Sequence, residues 1–458
     1  MQINQELLHK AALSIPEIWL PNHHIDKAKY WVPAVDLFGS EPKVWEMIGD
    51  GVKGLYSSYY LVYPEVDLGK GDLGERVERI NYAMNQYFRR KVLLPTTNGF
   101  HLVVHKVGDE IREGLFVTVD LEEYRPSMSG EELVKITDGA YDPSQWSERH
   151  KIHPTERTIA SKLNARIKVN ENASLETTHI LMLIDDPSRS VIEPLLDIRK
   201  ELKVVYDFDL LKLEKFDLDF GHLTGYQVTD PSHINQISQG LASLESQNGA
   251  MYWAGDGNHY LASLWVRWVK LKAAAKDKES IMQDPRRYAG VELVNLHGKN
   301  MRMYPIHEAV VGVNPDDLLA SMHEYFSGKF DILKYKTKDD VDAAVKKLRI
   351  DSNHYIPYVT HDGFGIVCIK EPKRKLEVGT LQDFLDKHIS PDKINYIHEE
   401  ETLTKIGQQK DSIGFYLPGL SPNNLVNTVE EEGGLPRKTF ALYTSKAKRG
   451  NFEARRVV

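Results

Sequence analysis

The chain has 458 residues, of which 41% are hydrophobic and 27% are charged. This composition is typical of a folded globular protein with room for two or three domains, and it excludes a disordered chain. The formal net charge of -8 argues against a general nucleic-acid or membrane-surface binder, and the single cysteine excludes a disulfide framework.

Short apolar, β-branched runs alternate with amphipathic segments along the chain, which predicts an α/β or α+β fold. The predicted strands, in chain order, are residues 102–104, 115–119, 180–184, 204–208, 251–254, 289–294, 355–359 and 365–369. The predicted helices are residues 77–88, 190–202, 232–244, 257–275, 315–325, 338–348 and 381–388.

Three joints between these elements are rich in polar, glycine or charged residues, at 125–153, 274–287 and 370–375. We therefore expect an N-terminal α/β part (1–149), a central part (150–300) and a C-terminal α/β part (301–458). The N-terminal segment lacks the pattern of a signal peptide, and no stretch reaches the ~18 apolar residues of a membrane span. Together with the low cysteine content, this predicts a cytoplasmic protein.

The first candidate site is the turn Gly255-Asp256-Gly257-Asn258-His259, which follows the apolar run MYWA and leads into a helical pattern. Such a turn presents free backbone N–H groups to an anion, with the helix dipole behind them. Asn258 and His259 can add donors to phosphate oxygens. Asp256 would repel a phosphate alone, but it fits a site in which it holds Mg²⁺ or accepts a hydrogen bond from a substrate hydroxyl. The alternative is a tight turn in which Asp256 only caps the helix.

The second candidate site is the segment KIHPTERTIA at 151–160. Pro154 precedes a helix-like pattern that Thr155 can cap. Glu156 would then lie at the mouth of a helix as a general base, and Arg157 and Thr158 are candidates for binding a phosphate or carboxylate. The alternative is an ordinary helix start with an acidic residue in its first turn.

The third candidate site is the loop GGLPRKTF at 433–440. Two glycines and a proline restrict the loop, and Arg437, Lys438 and Thr439 place three anion donors on it. The alternative is a basic turn before a terminal strand. The following run SKAKRG adds charge, but such runs are usually solvated.

Several motifs together resemble those of one family. The turn DGNHYLAS resembles the signature turn, DGHHR or DGNHSLA, of a large bacterial and archaeal family known as a domain of unknown function. The segment AVDLFGSEPKVW resembles that family's N-terminal motif, in which an aspartate, here Asp36, follows an apolar strand. The segments HPTERT, ENASLETTHILMLIDDP, YDFDL, DPRRYAGVELVNL, INYIHEEE and LPRKTF follow in the family's order.

That family is related to the free serine kinases, whose catalytic part has a ParB/sulfiredoxin-like fold. Those enzymes phosphorylate the hydroxyl of free L-serine from a nucleotide with Mg²⁺. The resemblance implies such a nucleotide-binding core at 150–300, with Glu156 as the base, and with Asp256 and His259 in the signature turn. The kinase's C-terminal Pro-Lys-Thr element falls on Lys438 and Thr439, offset by Arg437. Asp36 is implied as a substrate-binding residue.

The sequence also departs from the kinase motifs at three positions. Thr155 stands where the kinase motif has a histidine before its glutamate, and Asn258 replaces the first histidine of the turn. Tyr260 replaces the turn's arginine, a strong ligand for phosphate or carboxylate. The substrate, or the number of phosphates on the nucleotide, could therefore differ from that of the kinases.

The resulting hypothesis is a kinase that uses ATP or ADP with Mg²⁺ to phosphorylate the hydroxyl of a free amino acid or a similar small metabolite. Its expected partners are a nucleotide and a small hydroxylated metabolite, with no nucleic acid and no membrane. The sequence leaves a homodimer open. Two alternatives remain, a ParB-like module that binds or hydrolyses nucleotide and a non-catalytic metabolite-binding protein.

Overall fold

The computed structural model describes residues 2–39, 41–147, 149–246, 248–349 and 352–458. The chain divides into unit 1, Met1–Arg302 with Leu442–Val458, and unit 2, Met303–Ala441. Residues 1–149 and 150–300, which the sequence analysis separated, thus lie together in unit 1. The C-terminal segment Leu442–Val458 also belongs to unit 1.

Unit 1 contains fifteen strands and nine α-helices among its described residues. The strands are β1 Leu13–Ser14, β2 Ile18–Pro21, β3 Leu93–Pro95, β4 Phe100–Val107, β5 Glu110–Asp120, β6 Ile152–Pro154, β7 Leu175–Thr177, β8 Leu181–Ile184, β9 Lys203–Asp209, β10 Lys212–Leu213, β11 Leu218–Asp219, β12 His222–Val228, β13 Tyr252–Asp256, β14 Tyr288–Asn295 and, after unit 2, β23 Ala454–Arg456. The helices are α1 Gln5–Lys10, α2 Lys27–Tyr30, α3 Pro42–Gly51, α4 Leu73–Arg89, α5 Gly130–Ile136, α6 Asn164–Glu171, α7 Glu193–Asp197, α8 Pro231–Ala242 and α9 Asn258–Ala274.

A nine-stranded sheet forms the centre of unit 1, in the order β6-β13-β8-β14-β5-β4-β12-β9, with β1 paired to β5. The pairs β13/β6 and β14/β8 are parallel, and the other pairs are antiparallel. Strand β8, LMLI, is buried along its whole length, which is usual for a strand covered on both faces. The mixed α/β fold predicted from the sequence is confirmed, and the finer assignment to a ParB/sulfiredoxin-like core stays a prediction.

The sheet of unit 1 packs between two hydrophobic cores. On β5, the side chains of Leu115, Val117 and Val119 enter one core, whereas Phe116 enters the other, as the two-residue period of a strand requires. The first core also contains residues of α1, α8 and α9, and the second contains residues of α3 and α4. Helix α9 is buried around most of its circumference, which explains its run of apolar residues.

A second, four-stranded antiparallel sheet, in the order β3-β2-β23-β7, incorporates the C-terminal segment into unit 1. In this sheet β23 lies between β2 and β7, two strands that are distant from it in sequence. The segment just before β23 is thereby held within unit 1, and that segment carries the charge run SKAKRG.

Unit 2 contains a six-stranded antiparallel sheet in the order β17-β19-β18-β21-β16-β20. Its core includes residues of α10 and α12, and smaller clusters include residues of α11 and α13. The strands of unit 2 are β15 Met303–Pro305, β16 His307–Val311, β17 Phe330–Tyr335, β18 His354–Thr360, β19 Gly363–Ile369, β20 Ile394–Ile397, β21 Ser412–Phe415 and β22 Phe440–Leu442, of which the last residue is assigned to unit 1. The helices are α10 Pro315–Tyr325, α11 Lys338–Leu348, α12 Glu377–His388, α13 Glu400–Gly407 and α14 Pro422–Glu432.

One predicted helix is shorter than expected, and another does not form. The helix predicted at 190–202 shrinks to α7, because the carboxylate of Asp186 accepts hydrogen bonds from the backbone N–H groups of Ser190 and Val191 and shapes a turn there. The helix predicted after Pro154 does not form. Instead, residues 152–154 are strand β6, and Thr155 donates its hydroxyl to the carbonyl of Ala254 (2.6 Å) rather than capping a helix.

No helix in the described part of the chain is both long and apolar enough to cross a membrane.

Candidate functional site

The turn between β13 and α9 requires both of its glycines. Gly257 has a φ of +77° and is the N-cap residue of α9, a left-handed conformation that glycine adopts without strain. A Cβ atom on Gly255 would lie 2.6 Å from Leu442 Cδ1 and 2.9 Å from Leu183 Cδ1, so a side chain there would force both leucine side chains to shift. The register of β13 against β8 shifts between Ala254 and Asp256. The turn therefore fixes the place of the Asp256 side chain closely.

Asp256 is nearly buried at the end of β13 and bonds to two groups. Its Oδ1 accepts a hydrogen bond from the backbone N–H of Gly257 (3.1 Å). Its Oδ2 lies 3.1 Å from the Nζ of Lys448, which comes from the C-terminal segment of unit 1. A carboxylate at this depth needs such partners because burying an unpaired charge is costly.

Lys448 contacts one carboxylate and lies within electrostatic reach of two more. Its side chain is 15% exposed. Burial alone would lower the pKa of Lys448, but the carboxylates of Asp256, Asp36 and Glu156 together raise it, so the ammonium is retained at neutral pH. We call these three acidic residues the carboxylate cluster. They come from three separate segments of the chain, and two of them adjoin the strands β6 and β13.

The residues on either side of Lys448 are hydrogen-bonded to buried charged side chains of unit 1. The carbonyl of Ala447 accepts a hydrogen bond from Arg112 Nε (2.9 Å). The guanidinium of Arg449 bonds to Glu292 (2.6 Å) and Glu453 (2.8 Å). Lys448 is thus held between two anchored neighbours, which limits the directions that its side chain can take.

Sequence reasoning missed Lys448, because the run SKAKRG has the local pattern of a solvated charged segment. Nothing in the spacing of this run distinguishes Lys448 from Lys446. Only the pairing of β23 with β2 and β7 places Lys448 beside the carboxylate cluster, and that pairing depends on residues hundreds of positions away in sequence.

His259, in the first turn of α9, is neutral at physiological pH. Burial, together with the nearby charges of Lys162 and Arg166, lowers the pKa of His259 to about 4. Its Nε2 accepts a hydrogen bond from the backbone N–H of Ile159 (3.2 Å), so the proton of the neutral ring resides on Nδ1. His259 can therefore act as a hydrogen-bond donor through Nδ1 without carrying a charge.

The neighbouring Asn258 has a mainly structural set of contacts. Its amide Nδ2 donates to Thr155 Oγ1 (3.3 Å), and that hydroxyl in turn donates to Ala254 O. These bonds join the segment after β6 to β13, and so they set the position of Glu156 relative to Asp256. Two of the three positions at which this sequence departs from the kinase motifs, Thr155 and Asn258, are thus hydrogen-bonded to each other.

The third departure, Tyr260, also has a defined environment. Its hydroxyl donates to the carbonyl of Thr177 (3.0 Å), and burial raises the pKa of Tyr260. Its ring lies beside that of His179, with 5.4 Å between the ring centroids. His179 is buried, with its Nε2 3.9 Å from Asp36 Oδ1. Burial lowers the pKa of His179, although Asp36 and Asp256 oppose this effect.

Arg157 and Thr158 lie beyond Glu156 on the extended segment that replaces the predicted helix. The Arg157 side chain is 74% exposed, and its nearest carboxylate is that of Glu132 at 3.5 Å. Thr158 is buried near Tyr124, and its backbone N–H donates to Ser127 O (3.1 Å). Their predicted role in binding phosphate stays a prediction.

The loop GGLPRKTF belongs to unit 2, up to Phe440. The Arg437 side chain donates to Tyr396 (2.6 Å) and forms an ion pair with Asp386. Lys438 has a left-handed backbone with a φ of +54°, and Thr439 is buried with its hydroxyl donating to Pro436 O (2.7 Å). The prediction that these residues bind anions stays a prediction.

Mg²⁺ is implied by the kinase resemblance. Over the part of the chain that the structure describes, no three His, Cys, Asp or Glu side chains gather as an all-protein metal site. Mg²⁺ usually keeps several waters and binds one or two carboxylates together with substrate phosphates. Asp256 and Asp36 both act on the ammonium of Lys448 and offer carboxylates of this kind. The residues therefore fit a Mg²⁺ ion that enters together with a nucleotide.

Comparison with known proteins gives a family and several distant structural likenesses. No curated protein matches the sequence significantly. A free serine kinase variant in complex with ADP is 11% identical, with a TM-score of 0.36, over 66% of this chain and 88% of the kinase chain. Truncated SbnI from Staphylococcus aureus is 11% identical, with a TM-score of 0.33, over 64% and 80%. A conserved hypothetical protein from Pyrococcus furiosus is 10% identical, with a TM-score of 0.35, over 66% and 91%.

A family model described as "Protein of unknown function (DUF1015)" matches residues 51–388 of the chain. This match covers well over half of the sequence and extends across both units. The chain belongs to the DUF1015 family.

Proposed function

We propose that the carboxylate cluster and Lys448 form a phosphotransfer site, in which a nucleotide phosphorylates the hydroxyl of a free amino acid or a similar small metabolite. The observation that carries this proposal is the largely buried ammonium of Lys448, whose Nζ lies 3.1 Å from Asp256 Oδ2 and within electrostatic reach of Asp36 and Glu156. Burying ionisable groups costs free energy, and such clusters concentrate at functional sites. The motif resemblance to the free serine kinases adds the reaction class.

The proposed reaction assigns one task to each group. Glu156 accepts the proton of the acceptor hydroxyl, whose oxygen attacks the terminal phosphorus of the nucleotide. The bond from that phosphorus to the bridging oxygen breaks, and the nucleotide leaves with one phosphate fewer. Lys448 neutralises charge on the transferred group, and the Nδ1–H of His259 donates to a phosphate oxygen. Asp256 orients the hydroxyl or, with Asp36, would hold Mg²⁺, which would neutralise phosphate charge.

The charges of the site suit such a pair of substrates. The carboxylate cluster and Lys448 together carry a formal charge near −2, which attracts Mg²⁺ or the ammonium group of an amino acid. The neutral state of His259 avoids repulsion of that cation. Glu156 is only partly buried, so an acceptor can approach it from solvent.

The test is a phosphotransfer assay on the full chain with ATP or ADP, Mg²⁺ and a panel of hydroxylated amino acids that begins with L-serine. We expect a phosphorylated acceptor, detected by mass spectrometry, and a loss of about 10²–10⁴-fold in rate for Glu156→Gln. The matched control is Glu245→Gln, an exposed acid in unit 1 outside the cluster. Nucleotide hydrolysis without any acceptor would instead support the ParB-like alternative. Binding of a metabolite with no nucleotide binding would support a non-catalytic protein.

A further inference from the structure

Two cations beside the proposed site are bridged by a single carboxylate. Glu65 Oε1 lies 2.9 Å from Lys162 Nζ, and Glu65 Oε2 lies 2.8 Å from Arg166 Nη2. Burial alone would raise the pKa of Glu65, but the two cations lower it, so the carboxylate is ionised at neutral pH. Each oxygen of one anionic group is thus held by a different cation.

Arg166 is fixed in place more firmly than its partners. Its side chain is 6% exposed, compared with 37% for Lys162 and 22% for Glu65. Its Nη1 donates to the carbonyl of Lys162 (2.6 Å), one turn earlier in the chain. The guanidinium is therefore positioned in advance, and a fixed guanidinium binds oxyanions at a lower entropic cost than a mobile one.

The pair of cations lies within electrostatic reach of the proposed site. Lys162 and Arg166 both lower the pKa of His259, and Arg166 also lowers that of His179. The backbone N–H of Glu65 donates to the carbonyl of Val35 (2.7 Å), the residue before Asp36. The Glu65 segment and the Asp36 segment are therefore joined by a backbone hydrogen bond, and both lie beside the proposed phosphotransfer site.

We propose that Lys162 and Arg166 form the phosphate-binding subsite of this site, and that Glu65 occupies the subsite until a phosphate displaces it. The inference rests on the proposed function for the identity of its ligand, a phosphate group of a nucleotide. Phosphate oxygens can replace carboxylate oxygens at both cations, because each cation donates to anionic oxygen in the same way. Glu65 leaves one of the two positive charges unbalanced, whereas a phosphate dianion balances both.

This arrangement explains why Arg166 can remain buried when no nucleotide is bound. An unpaired guanidinium at this depth would be strongly unfavourable, and Glu65 supplies the missing negative charge. On ligand binding, the more exposed Glu65 and Lys162 can move while Arg166 stays in place. Glu65 then acts as an intramolecular competitor that weakens the binding of phosphate-bearing ligands.

The inference is tested by titration calorimetry of the full chain with inorganic pyrophosphate. We expect Glu65→Gln to bind pyrophosphate on the order of tenfold more tightly than the parent protein, because the Glu65 carboxylate no longer competes for Lys162 and Arg166. We expect Lys162→Met, which removes the more exposed cation, to weaken binding by about tenfold or more. Glu75→Gln is the control, since Glu75 is an exposed acid near Arg79 (3.9 Å) in the same unit, and its affinity should equal that of the parent.

Unchanged or weaker binding by Glu65→Gln would overturn the inference, as would unchanged binding by Lys162→Met. Circular dichroism of each variant verifies that it is folded. The assay needs neither acceptor nor catalysis, so it separates the two proposals. Tighter pyrophosphate binding without any phosphoryl transfer would retain the anion subsite and remove the kinase proposal. Phosphoryl transfer by the parent protein, together with unchanged pyrophosphate binding by Glu65→Gln, would retain the kinase proposal and remove the anion subsite.

Discussion

Replacing Lys448 with methionine removes the ammonium beside the carboxylate cluster while keeping most of the length of the side chain. The Asp256 carboxylate, whose Oδ2 lies 3.1 Å from Nζ, then loses its ion-pair partner. Asp36 and Glu156 lose a cation that lies within their electrostatic reach. Breaking one side of a buried ion pair costs about 3–5 kcal/mol. Asp256 keeps its bond to Gly257 N–H, so we expect a loss near the lower end, about 3 kcal/mol in the free energy of unfolding.

Tryptophan fluorescence during urea unfolding measures this loss in unit 1 alone, because all seven tryptophans lie in that unit. The midpoint should fall while the slope stays constant. The control is Lys446→Met, two residues earlier. Lys446 lowers the pKa of the exposed Asp219 and is not part of the carboxylate cluster. The double variant Lys448→Met with Asp256→Asn should recover part of the lost stability, because it removes both charges of the pair. If Lys448→Met cost no more than Lys446→Met, the cluster would not exist as described.

Three further predictions follow from other features of the two units. Gly257→Ala should lower the free energy of unfolding of unit 1 by about 3 kcal/mol, because the added Cβ would lie 3.0 Å from Ile180 Cγ1. Gly54 has a similar φ of +76° but open space around it, so Gly54→Ala should cost only about 1 kcal/mol in the same urea assay. Burial holds the pKa of His259 at about 4 against 6.5 when unfolded. The unfolded chain therefore binds the proton at a higher pH than the folded chain does. Acidification from pH 6.5 to 4 should lower the free energy of unfolding by up to about 3 kcal/mol in the parent protein, and this loss should be absent in His259→Gln. In unit 2, burial raises the pKa of Glu308 to about 7 from 4.5. The free energy of unfolding should therefore fall as pH rises from 4.5 through 7. Relative to the parent protein, Glu308→Gln should be more stable by about 3 kcal/mol at pH 8 and almost equally stable at pH 4.5, as measured by hydrogen exchange of β16.

Local sequence patterns predicted most of the central strands and long helices. The strands expected at 180–184 and 289–294 lie in or overlap β8 and β14, and the helices expected at 315–325 and 338–348 have the bounds of α10 and α11. These elements are long or uniformly apolar, so the pattern alone specifies them. Strand β12 was not predicted, because its polar residues at alternate positions do not form an apolar run.

The candidate site was only partly accessible from sequence. The strand-to-helix turn that carries Asp256 could be recognised because its glycines and its preceding apolar run are local features. Glu156 could be selected as an acid at the mouth of a predicted helix, but not as a residue that follows a strand, because β6 forms only through its pairing with β13. Lys448 and Arg166 could not be selected, since their roles depend on contacts between segments far apart in sequence.

The most direct test of the central claim follows the fate of the terminal phosphate by ³¹P NMR, with nucleotide, Mg²⁺ and a hydroxylated acceptor. The account predicts a phosphomonoester signal with the parent protein and with Glu245→Gln. It predicts a signal lower by at least about 10²-fold in initial rate with Glu156→Gln. A phosphomonoester formed equally fast by Glu156→Gln, or inorganic phosphate as the sole product with every acceptor, would contradict it.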